Sequence, residues 1–584
     1  MLLDATGSYA HTFLFGNDYW LGSQSACLDF LNAKNESPPF PVSYYTAKYQ
    51  INLNTTTLQQ RKFRPVTMGL CLPSECKKND LKTIMEKYVP DVVTLKSLRK
   101  VPNPNYNFYL EPMAIILAVV LVIAILMMIT GTWIDLLLDQ KKKINNQGQR
   151  NKEIGQNKIS IKISTIEKLK FFVSHHVEGN IRGSELGLVE NTNSIADSTS
   201  TPSVASFESS ENKLSTLTEI FLCFSLKRNL EKISHSKSKD SLSCIHGFRV
   251  FSLLWVIAGH TCMITMPFVD NKNFRAIVER DFLFQSISNG AFSVDTFFLL
   301  SGLLISYVYF KAETNKRSNE NKKKDENLIK SLKTTFCMIW SWYLANDTQF
   351  YFLGLLLLLI SSRYLKTTAA FTILLLVSSW VTTAVITLYT HHKPSIEEPL
   401  GLFDQLYDKP WTRLGPYIVG MAIGFYLAKI NCKATYHKGL VTFLWIISIV
   451  TTFVLVHGLY NELNEIQSAA YVALSHTAWA LSISWIIIAC VTGYGGPVNV
   501  ILSSKILIPI SRLTYCAYLI HPLIMLSAMA HMDGPIHLQR DTMIIAIFGY
   551  FSMSYLASIV ISVLFEAPAV ALLRQFHPLK RKFK

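Results

Sequence analysis

The amino-acid sequence predicts an all-α polytopic membrane protein of about ten transmembrane helices, with a small disulfide-containing extracytosolic domain at its N-terminus. Half of the 584 residues are hydrophobic and only 16% are charged. Soluble domains carry about 25% charged residues, so this composition indicates a chain that resides in a bilayer. Long apolar runs separated by polar loops predict the helices, and cysteines ahead of the first run predict the domain.

The net charge of +16 does not indicate nucleic-acid binding. The Lys and Arg residues concentrate in loops between the apolar runs, as the positive-inside rule produces in membrane proteins. We therefore expect membrane lipids, and no nucleic acid, as partners. We also expect no metal site, because the ten cysteines are scattered and only Cys71 and Cys76 lie close together.

Residues 1–110 are predicted to form the extracytosolic domain. Its cysteines are Cys27, Cys71 and Cys76. Because three thiols can form only one disulfide, one of them must remain without a partner. The sequence leaves open which two pair.

Two glycosylation sequons, Asn35-Glu36-Ser37 and Asn54-Thr55-Thr56, lie in the same domain. Together with the cysteines they are typical of an oxidising lumen or of the cell exterior. Such a domain needs a signal peptide to cross a membrane, whereas the start MLLDATGSYAHTF has neither a basic region nor an apolar core. We expect the true N-terminus to lie upstream.

The first transmembrane helix is predicted within residues 111–135. The apolar run Pro112–Ile134 is long enough to cross a bilayer, and Lys141 to Lys143 follow it. These lysines predict that the chain enters the cytosol here and that the preceding domain lies outside. Residues 136–243 are rich in Ser, Thr, Asn and Lys, which predicts a partly disordered cytosolic loop.

Residues 244–570 are predicted to form a transmembrane domain, and residues 571–584 a basic cytosolic tail. The runs Phe248–Pro267 and Gly290–Phe310 form a predicted hairpin that returns the chain to the cytosol. The later apolar runs cover residues 343–361, 369–390, 412–428, 439–457, 474–492, 506–527 and 543–565.

The alternation of charged loops fails at one place in this domain. The basic loop that ends at Lys333 and the basic loop with Arg363 and Lys366 are separated by one span, so both cannot be cytosolic. The simplest explanation is that one helix is missing near residues 311–340. The alternative is a re-entrant segment, or one helix end on the unfavoured side.

The strongest candidates for chemistry are Arg249 and His260, in the run CIHGFRVFSLLWVIAGH. Eleven residues correspond to about 16 Å along a helix and return nearly to the same face. With Arg249 at the cytosolic mouth and His260 beyond mid-depth, this face suits a long anionic donor such as acyl-coenzyme A. The alternative is a snorkelling arginine and a histidine that is hydrogen-bonded within the bundle.

Asp295, in NGAFSVDTFFLLSGLL, is predicted at about the depth of His260 on the next, antiparallel helix. A carboxylate there would orient the imidazole and support it as a general base. The alternative is a hydrogen bond between packed helices.

Two further polar groups lie in apolar runs. Asn346 and Gln349, in WSWYLANDTQF, either line a substrate pocket or cap the helix at the interface. His521, in LTYCAYLIHPL, precedes a proline that predicts a kink, and is a further candidate for substrate binding.

Taken in order, these segments resemble the acyltransferase-3 superfamily, and the whole chain resembles its animal branch, the nose-resistant-to-fluoxetine proteins. The matching segments are NDYWLGSQSACL, GLCLPSEC, the Arg249/His260 pair, SVDTFFLLSGLL, SWYLANDTQF, RLGPYIVGMAIG, LTYCAYLIHP and FEAPAVALL. The resemblance implies that His260 is catalytic, that acyl-CoA is the donor, and that the acceptor is lumenal or extracellular.

The sequence departs from this family after the SGLL helix. Family members carry a further helix there, opened by an Arg-rich motif, whereas KAETNKRSNENKKKDENLIKSLKTTF runs directly into WSWYL. The absent piece is the helix that the charge pattern requires. Its loss would remove one wall of the expected active site and a donor-binding arginine.

The sequence thus predicts an acyltransferase, for groups other than amino-acyl groups, in the endoplasmic reticulum or plasma membrane. In this hypothesis Arg249 holds the coenzyme A phosphates, His260 deprotonates the acceptor and Asp295 orients His260. Acyl-CoA is a substrate, and no bound cofactor is expected. The alternatives are a transporter or binding protein for lipids or small hydrophobic compounds, or an extracytosolic binding module on a membrane scaffold. The sequence specifies neither acyl group, acceptor nor oligomeric state.

Overall fold

The computed structural model contains a small sheet domain and a long series of helices. It describes residues 5–7, 16–29, 40–52, 63–76, 78–88, 93–101, 107–177, 216–234, 242–272, 278, 281–318, 342–394, 402–459 and 463–576. The strands are β1 (Tyr19–Trp20), β2 (Val42–Asn52), β3 (Phe63–Pro73) and β4 (Val93–Val101). The helices are α1 (Gln24–Asp29), α2 (Lys78–Tyr88), α3 (Pro112–Val177), α4 (Thr216–Cys223), α5 (Leu226–Ser234), α6 (Cys244–Thr265), α7 (Gln285–Ser288), α8 (Ala291–Ser318), α9 (Trp342–Ser361), α10 (Leu365–Tyr389), α11 (Pro410–Lys429), α12 (Lys438–His457), α13 (Glu465–Thr492), α14 (Gly496–Leu502), α15 (Leu507–Ala530), α16 (Arg540–Ile561) and α17 (Ala567–Phe576).

The chain divides into two compact units. One contains residues 1–116 and 233–562, and the other contains residues 117–232 and 563–584. The first unit holds the sheet domain and the helices that carry the candidate site.

The sheet domain, called the head domain below, is built on four strands in the order β1-β3-β2-β4. Strand β2 pairs antiparallel with β3 and with β4, and β1 pairs parallel with β3. Alternation along β2 sends Tyr44 and Tyr45 to opposite faces, where they enter two separate hydrophobic clusters. The description all-α therefore applies to the membrane part and not to this domain.

A disulfide joins Cys27 on α1 to Cys71 on β3. It lies in the cluster on the Tyr44 face of the sheet. Cys76 keeps a free thiol, so the structure decides the pairing that the sequence left open. The predicted glycosylation positions Asn35 and Asn54 lie outside the described residues.

The second unit contains most of α3 together with α4, α5 and α17. Asp135 on α3 is 2% exposed and accepts hydrogen bonds from the Ser225 hydroxyl at 2.8 Å and from Arg228 Nε at 2.7 Å. In the described parts of residues 136–243, α3 continues as helix, and α4 and α5 are anchored by this buried carboxylate. The cytosolic, partly disordered character of this segment stays a prediction. Residues 178–215 lie outside the described residues.

Nine helices among the described residues are long and apolar enough to cross a membrane. They are Pro112–Gln147, Cys244–Phe268, Ala291–Glu313, Trp342–Ser361, Leu365–Tyr389, Lys438–His457, Glu465–Thr492, Leu507–Ala530 and Arg540–Gln575. Helix α11 is not among these nine, although it has 20 residues and most of them are buried. The sequence predicts about ten spans. The structure contains nine candidates among the described residues, so the total of about ten stays a prediction.

Glycines place α11 directly against α8. A Cβ atom on Gly420 would lie 2.1 Å from the carbonyl oxygen of Leu299, and one on Gly424 would lie 2.3 Å from that of Leu303. Only glycine permits this approach. Successive contacts advance in the same direction on both helices, so α8 and α11 run parallel.

Helix α9 also runs parallel to α8 and α11. Phe298 on α8 contacts both Tyr343 and Phe350 on α9. The first turn of α9 lies at the start of α11, where Asn346 donates a hydrogen bond to the Asp408 carbonyl. Two consecutive described helices, α8 and α9, thus point the same way, which is the situation that the charge pattern indicated. The connecting residues 319–341 lie outside the described residues.

The head domain contacts the loops at one end of the first unit's helices. Asp18 accepts a hydrogen bond from Lys272 Nζ at 2.8 Å, and the Tyr19 ring stacks on Phe268 with centroids 6.0 Å apart. Ser25 donates a hydrogen bond to Asp533. We call this end the head side. Helix α6 ends there, and α8, α9 and α11 begin there.

Candidate active site

Arg249 and His260 both lie on α6, and both are half-buried. The exposed positions within this helix are Phe251 and Met263. Helix periodicity therefore keeps the predicted pair on the side of α6 that packs against α8 and α15.

His260 forms a pair with His521 on α15. Its Nδ1 atom lies 2.7 Å from Nε2 of His521, and the two rings are nearly parallel, with an interplanar angle of 8° and centroids 5.0 Å apart. These distances fit two imidazoles hydrogen-bonded edge to edge. The sequence proposed His521 for substrate binding; the structure places it against His260.

The hydrogen bonds define the tautomers of this pair. His521 Nδ1 lies 2.7 Å from the Tyr518 carbonyl oxygen, which can only accept, so this nitrogen carries a hydrogen. Neutral His521 then presents a lone pair at Nε2, and the hydrogen between the two rings belongs to His260 Nδ1. As a result, Nε2 of neutral His260 carries a lone pair, and it makes no hydrogen bond with a described residue.

Arg249 makes no hydrogen bond or ion pair with any described residue. Its electrostatic neighbour is Tyr343 on α9, whose ring packs between Phe298 and Tyr518. A guanidinium without a counter-ion inside a membrane domain is costly. The arrangement therefore leaves Arg249 available to an anionic ligand.

Asp295 makes no hydrogen bond or ion pair with His260, and the prediction that it orients this histidine is corrected. Its carboxylate binds Arg413 Nη1 at 3.1 and 3.3 Å, and one oxygen lies 2.7 Å from His476 Nδ1. Asp295 lies at the start of α8, and the parallel start of α11 brings Arg413 to the same depth. A buried carboxylate is most stable beside a cation, and Arg413 on α11 supplies that cation to Asp295.

The polar residues at the start of α9 differ in burial: some face the protein core and others are exposed. Asn346 is buried and bonded to the Asp408 carbonyl at 2.8 Å, so it fixes α9 against α11. Gln349 is exposed, and its role in binding substrate stays a prediction. Between them, Asp347 lies beside Ser301 and has one buried carboxylate oxygen without a hydrogen-bond partner among the described residues.

Arg413 and His476 belong to the polar core, and the sequence reasoning missed both. Both could have been identified by the feature that identified Arg249 and His260, which is an ionisable side chain within an apolar run. Arg413 opens RLGPYIVGMAIG, and His476 lies in ALSHTAWALS. Within the described ranges, no group of three His, Cys, Asp or Glu side chains is arranged to hold a metal ion.

Two family models match the chain. One, described as the N-terminal domain of the nose resistant-to-fluoxetine protein, matches residues 1–85, and one described as an acyltransferase domain matches residues 321–565. These matches confirm the resemblance inferred from the sequence motifs. Arg249, His260 and Asp295 lie ahead of the second matched segment, whereas Arg413, His476 and His521 lie within it.

Two curated relatives are both from Caenorhabditis elegans. Nose resistant to fluoxetine protein 6 is 26% identical over 441 residues, which cover 60% of this chain and 53% of that protein. Regulator of hypoxia-inducible factor 1 is 23% identical over 440 residues, which cover 61% of this chain and 85% of that protein. The chain thus spans about half the length of the first relative. No solved structure matches the chain.

Proposed function

We propose that this chain, which joins a nose-resistant-to-fluoxetine N-terminal domain to an acyltransferase domain, is an integral membrane acyltransferase. It moves an acyl group, other than an amino-acyl group, from acyl-CoA to an acceptor on the lumenal or extracellular side. Its membrane is the endoplasmic reticulum or the plasma membrane, and the head domain lies outside the cytosol. The observation that carries the proposal is the His260–His521 pair, because it leaves Nε2 of His260 with a lone pair and no hydrogen-bond partner in the part of the chain that the structure describes.

Arg249 is proposed to bind the donor. Acyl-CoA carries several phosphate charges, and a guanidinium that pairs with no acidic group among the described residues is suited to hold them. About 16 Å of helix separates Arg249 from His260. A donor anchored at Arg249 by its phosphates can extend its pantetheine arm and thioester along this face of α6.

His260 is proposed as the general base. Its Nε2 takes the proton from the acceptor hydroxyl as the acceptor oxygen attacks the thioester carbonyl carbon. The new C–O bond forms, the C–S bond breaks, and the sulfur leaves with the proton that His260 carried. Acceptor and acyl-CoA thus become acylated acceptor and free coenzyme A, with no covalent acyl-enzyme.

His521 takes the positioning role that the sequence assigned to Asp295. Its lone pair accepts the His260 Nδ1 hydrogen both before and after Nε2 is protonated. The Tyr518 carbonyl holds His521 in the tautomer that this requires.

The test uses the full chain purified into lipid nanodiscs, with acyl-CoA donors from acetyl to palmitoyl. Free coenzyme A is measured by chromatography, since the chain's own cysteines would interfere with a thiol reagent. Wild type and the His531→Ala control should release coenzyme A at equal rates, and His260→Ala should release it roughly 100-fold more slowly. His531 is an exposed histidine, bonded to Ser527, with no role in the proposed reaction.

Equal rates for wild type and His260→Ala would overturn the proposal. Reconstituted vesicles separate the transporter alternative. Uptake of a lipid or hydrophobic compound that persists in the absence of any coenzyme A release would favour transport.

A further inference from the structure

A cavity on the head side lies beside the Asp295–Arg413 ion pair. It encloses about 800 Å³, a volume that includes space open to solvent. Its walls come from the segment before α8 and from the ends of α10, α11, α12 and α13 that lie on this side. The lining includes Asn289, Phe292, Tyr407, Arg413, Tyr471 and His476.

The charges at this cavity cancel within the protein. Arg413 is 2% exposed and Asp295 is fully buried, and they bind each other directly. Arg413 also donates from Nε to the Tyr407 carbonyl at 3.2 Å. The guanidinium is therefore already neutralised and hydrogen-bonded, so it offers little attraction to an anionic ligand.

His476 is the group of this cluster that remains able to bind. Its Nδ1 lies 2.7 Å from an Asp295 oxygen and 2.9 Å from Arg413 Nη1, and it can hold either a hydrogen or a lone pair. The Asp295 carboxylate is nearer to Nδ1 than Arg413 is, and it is a charged acceptor. Nδ1 therefore carries the hydrogen and donates it to Asp295. The lone pair is then on Nε2, which has no hydrogen-bond partner among the described residues, on a ring that lines the cavity.

We infer that this cavity binds a neutral small molecule that bears a hydroxyl group, with the hydroxyl donating a hydrogen bond to His476 Nε2. The internal ion pair disfavours an anion, and the polar groups of Asn289 and Ser475 disfavour a purely apolar tail. Phe292, Tyr407 and Tyr471 supply ring surfaces for the carbon skeleton of such a molecule. Resting on the proposed function, this molecule is the acyl acceptor: the hydroxyl that His476 binds anchors it, and a second hydroxyl is the one that His260 deprotonates.

The position of the cavity fits that role. Ser288 and Asn289 line the cavity, while Ile287, just before them, packs its carbonyl against Gly259 on α6. Gly259 is the neighbour of His260. A single short segment, Gln285–Asn289, therefore lies between the cavity and the His260 face of α6.

The experiment measures how fast diethyl pyrocarbonate modifies His476 in the full chain in nanodiscs, with peptide mass spectrometry as the readout. The probes are three matched pairs: myo-inositol and its 1-phosphate, glucose and its 6-phosphate, and monooleoylglycerol and lysophosphatidic acid. At least one neutral member should slow modification of His476 fivefold or more, with its phosphorylated partner ineffective and exposed His531 unchanged.

Two results would overturn the inference. One is the absence of protection by every neutral probe, and the other is stronger protection by the phosphorylated partners. Ala291→Phe supplies a second measurement, because Ala291 lines the cavity and a phenyl ring there would occupy part of it. In this variant, diethyl pyrocarbonate should modify His476 slowly even when no probe is present. Modification as fast as in wild type would show that reagent reaches His476 by another route and would also overturn the inference.

The outcome is separable from that of the acyltransferase proposal. Protection of His476 requires no turnover, so it can be observed in a protein that releases no coenzyme A. In the opposite case, turnover without protection would retain the enzyme and reject this cavity as the acceptor site. His476→Asn tests the acceptor role of Nε2 directly. The Asn amide can still donate a hydrogen bond to Asp295, but it has no acceptor at the Nε2 position. It should remove stimulation of coenzyme A release by the protecting probe, and stimulation that survives this substitution would reject His476 as the hydrogen-bond acceptor.

Discussion

Nδ1 of His260 and Nε2 of His521 lie 2.7 Å apart, on rings that are tilted by only 8°. A histidine, rather than the expected carboxylate, therefore positions the proposed base. A neutral imidazole fixes the tautomer of His260 as a carboxylate would. Because it is neutral, it does not stabilise a protonated His260 by charge, as a carboxylate would.

The first prediction concerns this positioning. His521→Leu removes the acceptor for the His260 Nδ1 hydrogen and should lower the turnover rate roughly 100-fold, because the base is no longer held in its tautomer. His521→Gln places an amide oxygen near the Nε2 position and should stay within roughly tenfold of wild type. Coenzyme A release at saturating donor is the measurement. Equal loss in both variants would contradict a positioning role.

The second prediction concerns Arg249. Arg249→Gln should lower kcat/KM for acyl-CoA roughly 30-fold, or about 2 kcal/mol, through a higher KM, because the phosphates lose their cation. Arg249→Lys should retain part of the affinity. Acyl-pantetheine has no phosphates and serves as the control donor. A similar loss with acyl-pantetheine would mean that Arg249 acts on the fold rather than on the phosphates.

The third prediction concerns the packing of α8 against α11. A Cβ atom on Gly420 would meet the Leu299 carbonyl oxygen at 2.1 Å, so Gly420→Ala should lower the free energy of unfolding by roughly 1–3 kcal/mol. The matched control is Gly549→Ala on α16, where no atom of the described residues lies within 4 Å of the added methyl group. Thermal unfolding in detergent compares the two. Equal stability of both variants would show that α11 can shift to accept the methyl group.

The fourth prediction concerns the head domain. The Cys27–Cys71 disulfide closes a loop with a sequence separation of 44 residues, so Cys27→Ser should destabilise the domain by about 4 kcal/mol. Cys71→Ser should behave in the same way, and the double variant should lose no more than either alone. Cys76→Ser is the control and should match wild type, since Cys76 is a free thiol. Resistance of the head domain to protease reports the change, and sensitivity of Cys76→Ser would indicate a different pairing.

Charge and periodicity along the chain were enough to locate the membrane helices and the principal candidate site. The apolar runs predicted the helices because a bilayer requires a long stretch without charge. Arg249 and His260 shared a face in the prediction because both lie on one helix, whose 3.6-residue period fixes their relation. The alternation of basic loops predicted that a helix is missing between α8 and α9, because each crossing reverses the side of the membrane.

Contacts between helices required the tertiary structure. The sequence placed Asp295 and His260 at similar depth, but depth does not specify how two helices are rotated toward each other. The parallel packing of α11 on α8, permitted by Gly420 and Gly424, turns Asp295 toward Arg413 and His476. His260 instead pairs with His521, which lies on a helix more than 200 residues later in the chain.

The sequence by itself determined that this is a membrane protein with a cysteine-bearing head domain, and it determined which polar residues lie in its helices, because these depend on local composition and spacing. The tertiary structure alone decided the Cys27–Cys71 pairing, the sheet of the head domain and the partners of each buried charge. The reason is that such partners come from distant segments, and the free energy of pairing a buried charge depends on the group that packing brings within hydrogen-bond distance.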